Sequence, residues 1–290
     1  MHPARRRLGM GAVLLAAAVL AAGCGQSRGT QITTTGKPLT AAALAAAATR
    51  TDTAGTATFH FTMDMSGSSL DHAVTMSGDG SFDPTTHRSE GTVDMSAMMS
   101  QLGGADSSGG GIMREVTDGT TEYIQWSLLD AVLPAGKTWA EVDVSNLATT
   151  SEMSSMTADA SSYLTVLEGV SGGVTRVGTD QIDGQATTHY QAQIDVAKVL
   201  ARLPKNLPAS VESLYRKMGH GNFPVDVWVG SDGYVHRLAL KMDMGALSAN
   251  AVDMTMRLDE TLSGFGQPVT ITLPPADQVA TMPGLATSGH

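Results

Sequence analysis

One thiol, 17 methionines and eight histidines are the side chains here that can form a bond to carbon or hold a soft metal. Cys24 is the only cysteine in 290 residues, so no disulfide can form within the chain, and its sulfur is a free nucleophile. The methionines recur two apart, as Met63 with Met65, Met242 with Met244 and Met254 with Met256. Paired thioethers beside His60, His72, His87, His189, His220 or His236 are the donor types a copper site uses. Residues two apart on a strand point to one side, however, and Phe59 and Phe61 share the side of Met63 and Met65, which aims these sulfurs at a core. No metal or other cofactor is therefore expected. Ala131 to Thr138 (AVLPAGKT) approaches a phosphate-binding loop, but it has Ala131 in place of the first glycine and Pro134 inside the loop, and it reads as a helix end and turn. There is no Gly-x-Ser-x-Gly, no His-Glu-x-x-His and no second cysteine, and the chain is expected not to be an enzyme.

The surroundings of Cys24 explain the lone thiol. Arg5, Arg6 and Arg7 precede an uninterrupted apolar and glycine run from Leu8 to Ala22, the anatomy of an export signal. The run is shorter than the roughly 20 residues that cross a bilayer, and polar residues follow it: Gln26, Ser27, Arg28. Ala21-Ala22-Gly23-Cys24 resembles the lipobox of bacterial lipoproteins, with Leu20 one position further upstream than the leucine commonest in that motif. The resemblance implies cleavage before Cys24, a diacylglycerol on its sulfur, and a chain lipid-anchored to the extracytoplasmic face of the cell membrane. More than one acyl chain makes such anchoring stable.

The expected organisation follows: a signal peptide over 1–23, acylated Cys24 with a flexible tether to residue 38, one domain over 39–285 and a short tail over 286–290. Residues 25–38 lack any hydrophobic period. Removing Arg5, Arg6 and Arg7 makes the body more acidic than the formal −10 of the whole chain, which excludes nucleic acid as a partner.

The body begins with an Ala-rich helix behind a Thr40 cap. A period of two then marks strands at Phe59, Phe61, Met63 and Met65, at Val74 and Met76, at Val93 and Met95, at Ile124 and Trp126, and at Val142 and Val144. It returns at Tyr190 to Val196, Val225 to Val229, Leu238 to Met244, Val252 to Leu258, and Val269 to Leu273. Asp83-Pro84, Asp183-Gly184 and Ser231-Asp232-Gly233 supply turns, and one long antiparallel sheet is implied. Helical spacing appears at Tyr163 to Val170 with Gly172 and Gly173 as a stop, at Val196 to Leu203, and at Val211 to Met218. These amphipathic helices are expected to lie on one face of the sheet. Residues 96–111, rich in glycine and serine, read as a loop or lid. The positive charges between residues 195 and 221, Lys198, Arg202, Lys205, Arg216 and Lys217, read as the solvated face of those helices.

The order of these stretches, with LLDAVLPAGKTWAEVDVSNL, VTRVGTDQIDGQATTHYQAQID, VDVWVGSDGYVHRLAL and GFGQPVTITLPPADQV in sequence, is similar to that of the actinobacterial LppX/LprAFG-like lipoproteins, relatives in fold of the lipoprotein carriers LolA and LolB. The resemblance implies an α+β fold: a large, curved antiparallel β-sheet, a half-open barrel, with helices packed on the concave face over a hydrophobic cavity that takes acyl chains. Its partners are then a lipid or other amphiphile and the cell membrane through acylated Cys24, with an envelope protein as a further candidate.

The methionine excess points the same way, with 17 against 5 phenylalanines, 5 tyrosines and 3 tryptophans. Methionine is flexible and polarizable and fits apolar chains of varied shape. The candidate lipid-binding residues are Phe59, Phe61, Met63, Met65, Val74, Met76, Leu238, Leu240, Met242, Met244, Val252, Met254 and Met256. An interaction or sensor module, its interior filled by these same side chains, is the alternative reading.

Overall fold

The computed structural model describes residues 39–68, 70–101, 111–143, 164, 166–202, 222–243 and 253–282. All of them belong to one compact unit, Pro38–His290. Cys24, Met244, Val252, the 211–218 helix and the proposed terminal segments lie outside the described residues.

Helix α1 (Ala41–Asp52) starts where Thr40 Oγ1 accepts a hydrogen bond from the Ala43 N–H at 3.2 Å. Its buried stripe is Leu44, Ala47, Ala48 and Thr51, the i, i+3, i+4, i+7 spacing of one helical face. Six strands follow: β1 (Ala57–Gly67), β2 (Val74–Asp83), β3 (Arg88–Asp94), β4 (Ile112–Asp118), β5 (Thr121–Trp126) and β6 (Trp139–Asp143). A second run holds β7 (Val170–Ile182), β8 (Gln185–Asp195), β9 (Asn222–Gly230), β10 (Val235–Asp243) and β11 (Met254–Ser263), and the short β12 (Val279–Thr281) comes last. Helix α2 (Ser96–Gln101) follows β3, and α3 (Val196–Arg202) follows β8.

The strands form one curved, open sheet in the order β12-β6-β5-β4-β3-β2-β1-β11-β10-β9-β8-β7. Two meanders thus meet where β1 pairs with β11, Phe59 opposite Leu262 and Met63 opposite Leu258. Chain-adjacent strands pair because their turns are short and chemically suited. Asp183 and Gly184, both at positive φ (48° and 78°), make the two-residue β7–β8 turn, a conformation glycine and aspartate tolerate best. Asp83 Oδ1 accepts from the Thr85 N–H (2.9 Å) and hydroxyl (2.6 Å) and so folds the β2–β3 connection.

Burial alternates along β1: Ala57, Phe59, Phe61 and Met63 are buried, while Thr58, His60 and Asp64 are exposed. Across the register the same inner face receives Val74, Met76 and Phe82 of β2, Val93 of β3, Met113 of β4, Leu238 and Leu240 of β10, and Met256, Leu258 and Leu262 of β11. Helix α1 lies over β7 and β10 on this face, fixed where Thr51 Oγ1 accepts from the Val235 N–H at 2.8 Å. Helix α3 is capped by Asp195, whose Oδ1 accepts from the Ala197 and Lys198 N–H groups, and it buries Val196 and Val199.

Several expectations need correction. Val269, Ile271 and Leu273 join no ladder; two flanking prolines, Pro268 and Pro274, lack the N–H a strand donates. The sheet is not wholly antiparallel, since β12 runs parallel to β6. Leu164 and Val166 are helical as expected, but the stretch ends in a 3-10 turn (Leu167–Gly169), and Gly172 and Gly173 lie inside β7 at a register shift instead of stopping a helix. The first residues of the expected 96–111 loop form α2, because Asp94 Oδ1 accepts from the Ser96 N–H at 2.9 Å and initiates a turn. Ala131 to Thr138 is turn and coil behind a 3-10 turn, in agreement with its reading.

Candidate functional site

The candidate residues that the structure describes all share the inner face, and they divide along it. Toward one end the side chains are sealed: Phe59 and Phe61 are 6 % and 5 % exposed, Leu238 and Leu240 1 % and 2 %. The rings of Phe59 and Phe61 lie flat across the neighbouring strand, directly opposite Gly80 and Gly78, whose lack of a Cβ makes room for them. A Cβ at Gly80 would meet both the Phe59 ring and the Glu90 carbonyl oxygen. Met63 and Val74 are also buried.

Toward the other end the face changes character. Met65 stands opposite Met256 on one side and Val74 on the other, Met242 is also opposite Met256, and Met254 is opposite Gly67. Met65, Met76 and Met242 are only half-buried and pack with Met98 of α2 against the apolar core; Met254 is half-buried too, while Met256, between Met65 and Met242, is buried. Helix α2 flanks this end, where Gln101 Nε2 donates to the His72 carbonyl, just ahead of β2, at 2.6 Å. The Asp94 carboxyl that starts α2 is held below its usual range by hydrogen bonds from Ser96. The thioethers thus form a flexible, partly accessible apolar rim continuous with a packed core.

With this geometry in place, comparison with known proteins finds no family model and no curated protein that matches. Among solved structures the chain is similar to LprF from Mycobacterium bovis, at 16 % identity over 81 % of this chain and 96 % of that one, with a TM-score of 0.46. It is similar also to the Mycobacterium tuberculosis lipoprotein LppX, at 18 % identity over 80 % of this chain and 99 % of that one, with a TM-score of 0.43. A LolA superfamily protein from Nitrosomonas europaea is a more distant neighbour, at 9 % identity, 79 % and 95 % coverage and a TM-score of 0.33.

Three residues that the sequence reading missed lie on the inner face. Glu115, Glu122 and Glu260 are 4 %, 3 % and 1 % exposed. Glu260 stands between Phe61 and Leu238 across its two neighbouring strands, and Glu115 and Glu122 occupy adjacent strands. Their phase was readable: Glu260 is two residues from both Leu258 and Leu262, and Glu115 two from Met113. The interior is therefore not purely apolar.

The outer face carries most of the described histidine and aspartate chemistry. The Trp228 ring is stacked on His189 (4.2 Å between centroids) with Arg237 over it at 4.5 Å, one residue from each of β8, β9 and β10. Trp228 Nε1 donates to Asp180 at 2.6 Å, and His189 Nε2 lies 2.7 Å from Asp226. Arg237 donates twice to Asp259, a fork that raises the guanidinium pKa still further. His60 also points outward, on the opposite face of β1 from Met63 and Met65, so the strand geometry separates this imidazole from those thioethers.

Proposed function

We propose that this chain is an exported lipoprotein, tethered to the cell membrane through acylated Cys24, that holds an acyl chain or other amphiphile at the methionine-lined end of its inner face and carries it in the envelope without transforming it. One observation carries the reading: among the described residues the packed apolar face runs on into half-buried Met65, Met76, Met242 and Met254. A surface of this kind excludes water from a hydrocarbon tail while adapting to its shape, at roughly 25 cal/mol for each Å² covered. The export anatomy of residues 1–23 supports the location, and residues 25–38 supply a tether between anchor and domain. The domain proposed for 39–285 does the binding, and a recipient protein in the envelope would take the cargo.

The test is organic extraction of the purified, acylated chain followed by mass spectrometry. A non-covalent lipid near one equivalent supports the reading; lipid-free protein that takes up none from vesicles defeats it. Replacing Cys24→Ser moves the protein from the membrane to the soluble fraction if the anchor is as proposed. The second reading, an interaction or sensor module, is favoured by the tight burial of Phe59, Phe61, Met63, Val74, Leu238 and Leu240, which fill the sealed end.

A further inference from the structure

Beyond β11 the chain leaves the inner core and crosses the outer face to reach β12 at the far edge. This strap is tied at both ends. At its start the Gly266 N–H donates to the Thr56 carbonyl at 2.7 Å and the Thr56 hydroxyl to the Gln267 carbonyl at 2.5 Å. At its finish the Thr138 N–H donates to the Gln278 carbonyl at 2.9 Å and Lys137 Nζ to the Asp277 carbonyl at 2.9 Å. Between these ties, residues 268–274 form no hydrogen bond among the described residues. Between the strap and the sheet lies a groove of about 430 Å³, within the range of small-molecule sites.

The groove is built from outer-face positions of the first meander. Asp79, Thr92 and Arg114 form one cross-strand row on β2, β3 and β4, and Glu90 and Val116 the start of the next. Val116 and Trp139 are its buried apolar floor, at 5 % and 8 % exposure, although both face away from the core. Thr270, Thr272, Leu273, Pro274 and Pro275 wall it from the strap. Asp79, Glu90 and Arg114 make no ion pair or side-chain hydrogen bond among the described residues, despite lining one groove. By contrast, the Arg237 and Asp259 side chains of the other meander are joined to each other.

We infer that this groove is a saccharide-binding site, separate from the inner face and independent of any lipid bound there. Two carboxylates oppose a free anion, and one guanidinium opposes a simple cation. An apolar molecule would leave all three charged groups facing it without partners. A neutral polyol satisfies the whole set, because each hydroxyl can donate to Asp79 or Glu90 and accept from Arg114, and such bonds to charged groups are the stronger kind. The hydroxyls of Thr92, Thr270 and Thr272 add neutral partners, while Trp139 and Val116, largely covered, give the groove an apolar base. The groove fits a mono- or disaccharide.

Titrating the full-length protein with glucose, galactose, arabinose and maltose, read by calorimetry and tryptophan fluorescence, tests this. Saturable binding of at least one sugar is expected, weakened about tenfold by Arg114→Gln and by Glu90→Gln. Arg114 is exposed and Glu90 half-buried, so both variants keep the circular dichroism of the parent, and Thr272→Val serves as a third, milder probe. The inference is overturned if none of the four sugars binds up to its solubility, if binding is indifferent to both charge substitutions, or if glycine betaine binds with that sensitivity while the sugars do not.

Discussion

The two ends of the inner face are made from the same strands and differ in how they are filled. At one end, rigid rings and branched chains (Phe59, Phe61, Leu238, Leu262) close on one another beside α1, and glycines in β2 are hollowed out to receive the rings. At the other, unbranched thioethers from β1, β2, β10, β11 and α2 stay half-buried. Shape-matched packing gives one end a single arrangement and most of the stability; the other keeps the freedom to meet a guest. The comparison teaches that binding capacity here comes from leaving part of a core unfinished.

The strongest challenge to that contrast is a cavity in the sealed end. Leu258→Ala, at a fully buried position between Met63 and Leu240, is expected to cost about 2–5 kcal/mol in urea denaturation with lipid uptake per folded molecule unchanged. A loss of uptake at full stability would reverse the roles of the two ends. Next, Gly80→Ala forces the Phe59 ring and the β3 backbone apart and is expected to cost about 1–3 kcal/mol, visible as a lower urea midpoint. At the open end the ordering inverts: Met65→Leu conserves volume and is expected to cost less than about 1.5 kcal/mol, while measurably shifting which acyl-chain lengths co-purify. The smallest effect belongs to the outer face, where Arg237→Lys loses the two-pronged bond to Asp259 and is expected to cost about 0.5–1 kcal/mol, at side chains still 31 % and 23 % exposed. A larger loss there would mean that the outer ladder, and not the inner core, holds the second meander together.

How much of this was legible in the sequence depended on which residues carried the signal. β1 was plain because Phe59, Phe61, Met63 and Met65 alternate with His60, Thr62 and Asp64, and β10 for the same reason. Strands β4 and β7 went unread: MREVTD places Glu115 where an apolar residue was sought, and β7 is an edge strand whose glycines shift its register. The terminal β12 pairs in parallel with β6, a partner some 140 residues away that no local period can announce. Of the candidate site, the inward phase of the methionines followed from strand geometry. Its division into a sealed and an open end did not, because exposure depends on α1 and α2 closing over particular strands. The buried glutamates were missed through reading only apolar letters at in-phase positions.

The account stands or falls on whether the unfinished end takes a hydrocarbon chain. Protein carrying ¹³C-methyl methionine, titrated with oleate and followed by methyl NMR, asks this directly. Saturable shifts of the Met65, Met76, Met242 and Met254 methyls, with the Met63 methyl moving least, are the predicted result. Methionine methyls that stay put at saturating oleate, or that all move alike as the fold loosens, would contradict it.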